Sequence, residues 1–304
     1  MSVGDARSHR AYPTININLF EPIENEQFMN QAEYVVDSQW LSSQLDNPQV
    51  VVVDCRFKLS DPNWGEEQYC ASHIKGAYYL NLDRNLSGEV KSHGGRHPLP
   101  DIDVLAQKLR RMGIVRNETL VVAYDDSRFA FASRLWWLLR YLGHNSVALL
   151  DGGWHDWLKH DYPVDNLIPE YKSGSFSPQP NSDWLVDIET VKSSRNKDGV
   201  VVVDSRDRDR YLGLIEPIDP VAGSIEGAVN SPWKQVSDES GYFKPQEVQQ
   251  QLWKDYKDAE EIIVYCGSGV TACVNLFSLS MAGVESTKLY PGGWSDWCSY
   301  LKQD

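Results

Sequence analysis

The chain has 304 residues, which is enough for two domains or one large one. Its formal net charge of −14 argues against nucleic acid or an anionic membrane as the main partner, because phosphate groups repel an acidic surface. The five cysteines form an odd set without CxxC spacing, so we predict reduced thiols and a cytoplasmic protein. The apolar runs are shorter than the roughly 20 residues of a membrane span, and we expect a soluble chain.

The N-terminal part of the chain predicts an arm followed by an α/β domain. Residues 1–33 are predicted to be an irregular arm, and residues 34–160 a first domain. The run VVVVD at residues 50–54 is typical of a buried parallel strand. The pattern RLWWLLRYLG at residues 134–143 predicts a helix that ends at its glycine. Alternation of such strands and helices indicates a mostly parallel sheet flanked by helices.

The second part of the chain repeats the first. A Pro/Ser/Asn-rich stretch at residues 161–183 predicts a linker, and a second domain is expected at 184–304. VVVDCR at the start of the first copy recurs as VVVDSR in the second, and LLDGGWHDW recurs as LYPGGWSDW. VVAYD likewise matches IIVYC, in the same order along the chain. We therefore predict two tandem copies of one α/β domain.

The most informative loop lies between a predicted strand and a predicted helix of the second copy. It reads CGSGVTA and begins at Cys266. Its two glycines allow a tight turn whose amides converge, and the helix that follows adds its positive end. A thiolate is stabilised at such a point, so Cys266 is predicted to be reactive and able to carry a second sulfur. The first copy has Asp125 at the matching position, and we expect it to be noncatalytic.

The residues of this loop do not fit two other chemistries that use a similar turn. A cysteine phosphatase requires an arginine six residues after the cysteine to grip the phosphate, and this position is Ala272. A serine hydrolase requires Gly-x-Ser-x-Gly, whereas Cys266 and Val270 occupy the outer positions around Ser268. Sulfur transfer is the interpretation that fits the loop. The His and Cys spacings predict no metal site, and the sequence predicts no organic cofactor.

These motifs together resemble the tandem-domain rhodanese superfamily. Within it, the Cys266 loop is similar to that of the 3-mercaptopyruvate sulfurtransferases, whereas thiosulfate sulfurtransferases typically carry Cys-Arg-Lys-Gly-Val-Thr. The resemblance implies a sulfurtransferase in which Cys266 takes sulfur from 3-mercaptopyruvate, a small anionic donor, as a persulfide, and passes it to cyanide or a thiol. A thioredoxin-like protein is one such thiol acceptor. A thiosulfate:cyanide sulfurtransferase and a persulfide carrier with little free turnover remain as alternatives.

The resemblance also implies roles for individual residues. Ser268 would help to protonate the enolate that forms when sulfur leaves, supported by a histidine and an aspartate of the first domain. The histidine is matched to His73, in SHIKGA, and the aspartate to Asp61 by approximate spacing. Arg210 matches an arginine that contacts the substrate in the family. The loop residues expected to bind the substrate are Gly267, Gly269, Val270 and Thr271.

One position departs from the family pattern. The mercaptopyruvate enzymes usually carry a second substrate arginine nine residues after the first, and this chain has Asp219 there. The change removes a cation from the expected site and adds an anion. Either Asp219 points away, or another arginine replaces the missing one, or the sulfur donor differs.

Overall fold

The computed structural model describes residues 35–301, and the predicted arm at residues 1–33 lies outside this range. Two α/β units follow each other along the described chain. Among these residues, no helix is both long and apolar enough to cross a membrane.

The first unit is built on a parallel sheet. Its strands are β1 (Val35–Val36), β2 (Val50–Asp54), β3 (His73–Ile74), β4 (Tyr78–Tyr79), β5 (Leu120–Tyr124), β6 (Val147–Leu150) and β7 (Val164–Asp165). Its helices are α1 (Ser38–Gln44), α2 (Trp64–Ala71), α3 (Leu82–Asn85), α4 (Ile102–Arg111), α5 (Ala132–Tyr141) and α6 (Gly153–Lys159). The main sheet has the order β1-β6-β5-β2-β4, and β3 pairs with β7 in a separate antiparallel pair.

The second unit repeats this architecture. Its strands are β8 (Val200–Asp204), β9 (Val229–Asn230), β10 (Glu261–Tyr265) and β11 (Thr287–Leu289), in the order β11-β10-β8-β9. Its helices are α7 (Ile188–Ser194), α8 (Arg208–Tyr211), α9 (Gln246–Trp253), α10 (Ala272–Met281) and α11 (Gly293–Ser299). All main-sheet pairings in both units are parallel, which confirms the predicted fold class.

The repeated sequence motifs form the same buried cluster in each unit. Arg56 donates to both carboxylate oxygens of Asp54, and its guanidinium lies 4.3 Å from the Trp154 ring centroid. Arg206 pairs in the same way with Asp204, and lies 4.9 Å from the ring of Trp294. The VVDxR and GGWxxW motifs therefore recur together because each supplies one side of a buried cation–π and ion-pair cluster. Arg206, like Arg56, thus has a structural role in its unit.

The two units pack together through the helices that follow their β5 and β10 strands. Trp136 of α5 meets Phe277 of α10 edge-on, with ring centroids 4.9 Å apart. Beside this pair, Arg140 donates to the Ser280 hydroxyl at 3.0 Å. One apolar core runs continuously through both units. The loop that precedes each of these helices consequently faces the neighbouring unit.

Candidate active site

The Cys266 loop connects β10 to α10 at the carboxyl end of the second sheet. Its backbone carbonyls are held by the GGW turn: the Trp294 amide donates to the Cys266 carbonyl and the Ser295 amide to the Gly267 carbonyl, both at 2.8 Å. Gly269 has a φ of +72°, and a β-carbon placed on it would lie 2.3 Å from the Pro291 carbonyl oxygen. Glycine is therefore required at this position for the loop to lie against the turn.

The amides of this loop contrast with those of the matching loop in the first unit. Within residues 35–301, no protein oxygen accepts a hydrogen bond from the amides of residues 267–271. In the first unit, the Asp125 carboxylate accepts from the amides of Ser127, Phe129, Phe131 and Ala132 at 2.8–3.0 Å. The first loop therefore neutralises its amide cluster with its own side chain, whereas the second leaves its amides for an external acceptor.

Burial of Asp125 predicts a pH-dependent contribution to stability. Burial raises the pKa of Asp125 from 3.8 to about 6, although the backbone amides of Ala132, Ser127 and Phe131 oppose this shift. A carboxyl whose pKa is higher in the folded state binds protons more tightly there, so its contribution to stability falls as pH rises from about 4 to about 6. We expect the difference in unfolding free energy between the wild type and Asp125→Asn to change across this range and to level off above it. Urea unfolding of both proteins at a series of pH values measures this, and a constant difference from pH 4 to 7 would contradict it.

Cys266 lies at the floor of a cleft of about 460 Å³ between the two units. The first unit contributes Arg96 and His97 to the lining, and the second contributes Arg210 and Ser268. A β-carbon placed on Gly267 would lie 3.1 Å from Arg96 Nη2 and 3.6 Å from Arg210 Nη1. Two guanidinium groups, one from each unit, therefore lie directly over the loop.

Ser268 is connected to the first unit by a chain of polar side chains. His97 Nδ1 lies 2.7 Å from Ser268 Oγ, and His97 Nε2 lies 3.3 Å from Asp83 Oδ1. The carboxylate favours the tautomer with the proton on Nε2, so neutral His97 accepts from the serine hydroxyl through Nδ1. Ser268 and His97 are both buried, whereas Asp83 is half-exposed. This arrangement can move a proton to or from the mouth of the Cys266 loop.

The segment that delivers His97 docks on the second unit through backbone as well as side chains. His93 Nδ1 lies 2.7 Å from Ser299 Oγ, and the Gly94 amide donates to Asp296 at 2.7 Å. Gly95 has a φ of +81°, and a β-carbon there would lie 2.4 Å from the Gly292 carbonyl oxygen. The paired glycines in SHGGRHP thus allow close contact between the units. The sequence does carry a signal for this segment, which is the double glycine flanked by histidine and arginine. The predictions from sequence did not include it.

The structure places the two predicted first-unit partners of Ser268 elsewhere. His73 is fully buried on β3, where its Nδ1 lies 2.6 Å from the Tyr69 carbonyl and its Nε2 lies 3.0 Å from Asp165. Asp61 is exposed in a turn in which its backbone pairs with Lys58. The predicted contact of Ser268 with His73 is therefore wrong, because His73 is held on β3 by Tyr69 and Asp165. His97 and Asp83 occupy these places.

Arg134 of the first unit forms a hydrogen bond with the backbone of the Cys266 loop. This arginine of α5 is fully buried, and donates to the Gly269 carbonyl at 3.0 Å and to the His97 carbonyl at 3.3 Å. Burial lowers its pKa, because the carbonyls of Leu86, Gly269 and His97 that accept its hydrogen bonds are neutral. The first unit therefore holds the backbone of the Cys266 loop with a buried cation.

The other cysteines differ from Cys266 in their surroundings. Burial raises the pKa of Cys273 to about 12 and that of Cys298 to about 11. Burial also raises the pKa of Cys55, and Cys70 is exposed on the surface. The buried thiols therefore stay protonated at neutral pH, which leaves them poor nucleophiles.

Comparison with known proteins places this architecture in a family. A rhodanese-like domain is recognised twice, at residues 37–160 and 187–300. The chain therefore belongs to the rhodanese-like domain family and carries two copies of the domain. This confirms the resemblance drawn from the repeated motifs and the CGSGVTA loop.

Three relatives span nearly the whole chain. A Pseudomonas aeruginosa protein named "Probable 3-mercaptopyruvate sulfurtransferase" is 41% identical over 274 residues, covering 88% of this chain and 96% of the relative. The 3-mercaptopyruvate sulfurtransferase of Escherichia coli is 30% identical, covering 87% and 94%. The crystal structure of SseA from Escherichia coli, described as one of the 3-mercaptopyruvate sulfotransferases, is also similar. It matches with a TM-score of 0.75 and 28% identity, covering 86% of this chain and 99% of that one.

Proposed function

We propose that this protein is a sulfurtransferase that moves sulfur from 3-mercaptopyruvate to a thiol or cyanide acceptor through a persulfide on Cys266. The observation that carries the proposal is the loop at Cys266, where amides that have no acceptor among residues 35–301 adjoin the Ser268–His97 pair. Such amides stabilise a thiolate and a terminal sulfur, and the serine–histidine pair supplies a proton. The names of the relatives support the same donor.

The first half of the reaction is a displacement at sulfur. The Cys266 thiolate attacks the sulfur of the donor, an S–S bond forms and the C–S bond breaks. The electron pair of the broken bond stays with the carbon fragment, which leaves as the enolate of pyruvate. Covalent catalysis thus divides the overall transfer into two displacements, each with a nucleophile of its own. The amides of Gly267, Gly269, Val270 and Thr271 are the proposed cradle for the sulfur that remains on Cys266.

The leaving enolate needs a proton to become pyruvate. We assign its delivery to the Ser268 hydroxyl. The thiol proton of the donor, released as the persulfide ionises, passes to His97, and the imidazolium returns a proton to Ser268 through Nδ1. Asp83 holds the imidazole in orientation and stabilises its protonated form through Nε2. Arg210 and Arg96, which lie over Gly267, are the proposed contacts for the carboxylate of the donor.

The second half returns the enzyme to its resting state. A thiolate or cyanide attacks the outer sulfur of the persulfide, the S–S bond breaks, and Cys266 leaves as a thiolate. A thioredoxin-like protein is a proposed physiological acceptor, since it presents a thiolate at its surface. A reducing compartment keeps such thiols and Cys266 reduced, which supports the proposed cytoplasmic location.

Charges in the cleft favour the mercaptopyruvate assignment over thiosulfate. Thiosulfate is a dianion and gains most from uncompensated cations, whereas Arg210 already pairs with Glu216 and Asp219. Its leaving group, sulfite, also departs without protonation and gives Ser268 and His97 no chemical task. Mercaptopyruvate carries one carboxylate and a ketone, and both features have a matching group in this cleft.

A comparison of the two donors tests the proposed function. We expect kcat/KM for 3-mercaptopyruvate to exceed that for thiosulfate by at least about a hundredfold, because only the former uses the proton path as well as the arginines. Steady-state assays with cyanide as the common acceptor measure both values. Faster turnover with thiosulfate would overturn the donor assignment. Stoichiometric addition of one sulfur to Cys266, without turnover by cyanide or small thiols, would instead indicate a persulfide carrier.

A further inference from the structure

The aspartate that departs from the family pattern is part of the cleft. The Asp219 carboxylate forms an ion pair with Arg96 of the first unit, and accepts from Arg210 Nη2 at 3.0 Å. Its side chain is 1% exposed. Asp219 therefore does not point away from the site, and Arg96 is the second arginine that the sequence pattern lacked.

The turn that carries Asp219 is held in place by a second carboxylate. Glu216 accepts from the backbone amides of Ile218 and Asp219 at 3.1 and 3.0 Å. It also pairs with Arg210 at 2.6 Å and with Arg206 at 3.2 Å. Because Glu216 fixes the backbone of this turn, the Asp219 side chain is held in position between the two guanidinium groups.

The charges within this ion-pair cluster consequently cancel. Three arginines, Arg96, Arg206 and Arg210, face three carboxylates, Asp204, Glu216 and Asp219, as ion pairs. Three positive and three negative charges give a formal sum of zero. Burial raises the pKa of Asp219, and the charges of Arg96 and Arg210 act in the opposite direction.

We infer that Asp219 is a specificity-determining residue, a built-in counter-anion that limits the negative charge of the donor that this cleft accepts. The inference rests on the proposed sulfur transfer at Cys266. A donor carboxylate entering between Arg96 and Arg210 must share these groups with Asp219. The Coulomb energy grows in proportion to the charge of the ligand, so a dianion is disfavoured more than a monoanion.

The electrostatic potential around Cys266 can be measured without any turnover. Alkylation of Cys266 by iodoacetate, which is an anion, and by iodoacetamide, which is neutral, gives a rate ratio that reports the local field. We expect Asp219→Asn to raise this ratio about fivefold, the size for one unit charge removed at roughly 8 Å in a partly solvated cleft. Arg96→Gln should lower the ratio by a similar factor, and the double variant should return it to the wild-type value. Peptide mass spectrometry resolves Cys266 from the exposed Cys70, which serves as an internal reference.

Kinetics with the two donors give the specificity itself. We expect Asp219→Asn to raise kcat/KM about fivefold for 3-mercaptopyruvate and about 25-fold for thiosulfate, because the second gain is the square of the first. Glu226→Gln is the matched control, since this exposed glutamate pairs with Arg195 on the same unit and should change neither readout.

The possible outcomes separate the inference from the proposed function. An alkylation ratio that is unchanged in folded Asp219→Asn overturns the inference, whatever the enzyme turns over. A raised ratio without turnover of either donor supports the counter-anion and overturns only the proposed function. Should Asp219→Asn fail to fold, Arg96→Gln decides alone, and a ratio that does not fall in that variant contradicts the inference.

Discussion

Replacement of Cys266 by serine is expected to lower sulfur transfer at least about a thousandfold with every donor. The reason is chemical: a hydroxyl in this loop would not be ionised at neutral pH and cannot form a persulfide, so neither displacement can occur. The loop itself should persist, because its shape depends on Gly269, Gly293 and the hydrogen bonds to Trp294 and Ser295. Steady-state assays, and mass spectrometry of the donor-treated protein, measure the loss of turnover and of the added sulfur.

The control for this substitution is Cys273→Ser, in the helix α10 that follows the loop. Cys273 is buried, its thiol donates to the Gly269 carbonyl, and burial keeps it protonated. We expect this variant to lose some stability but to keep sulfur transfer within about threefold of the wild type. Transfer at the wild-type rate by Cys266→Ser, or an added sulfur on Cys273, would contradict the proposed chemistry.

Replacement of His97 by glutamine is expected to reduce kcat/KM for 3-mercaptopyruvate by about a hundredfold to ten-thousandfold. Glutamine can still hydrogen bond to Ser268 but cannot exchange a proton, so the enolate must be protonated by solvent. Transfer from thiosulfate should change far less, since sulfite leaves without a proton. The ratio of the two losses separates a chemical role from a general disturbance of the cleft.

His73→Gln distinguishes the two histidines of the first unit. His73 is buried and stacked on Tyr69, with ring centroids 3.9 Å apart, so its replacement should lower the melting temperature. Below that temperature, we expect both donors to react at close to wild-type rates. A selective loss of mercaptopyruvate activity in this variant, with His97→Gln unaffected, would reverse the assignment of the proton path.

Local patterns were sufficient to predict the fold, the repeats and the Cys266 loop. The valine runs that became β2 and β8 are buried on both faces, and a parallel sheet between helices is the ordinary place for such a run. The helices that follow both loops end two residues before Gly143 and Gly283, each with a φ of +80°. These features are determined by residues close together in the chain.

The proton path could not be predicted in the same way, because it forms across the interface between the units. Ser268 and His97 are 171 positions apart, and their contact depends on how the Gly94–Gly95 turn fits against α11. The family resemblance led to His73, which is instead part of the buried scaffold of the first unit. Asp219 was recognised as a departure from the pattern, but its partner Arg96 could be found only from the packing of the units.

The buried arginine beneath the loop has a consequence for how such a chain can change over generations. Arg134, His97 and Arg96 all precede the linker, while the thiol and its amides follow it. A gene cut at the linker would separate the proposed nucleophile from His97, Arg96 and Arg134 at once. The first copy, predicted to be noncatalytic because it has Asp125 in place of the cysteine, therefore still supplies groups that the proposed site needs. Neither half of the chain holds the whole site, so a substitution where the halves meet affects both.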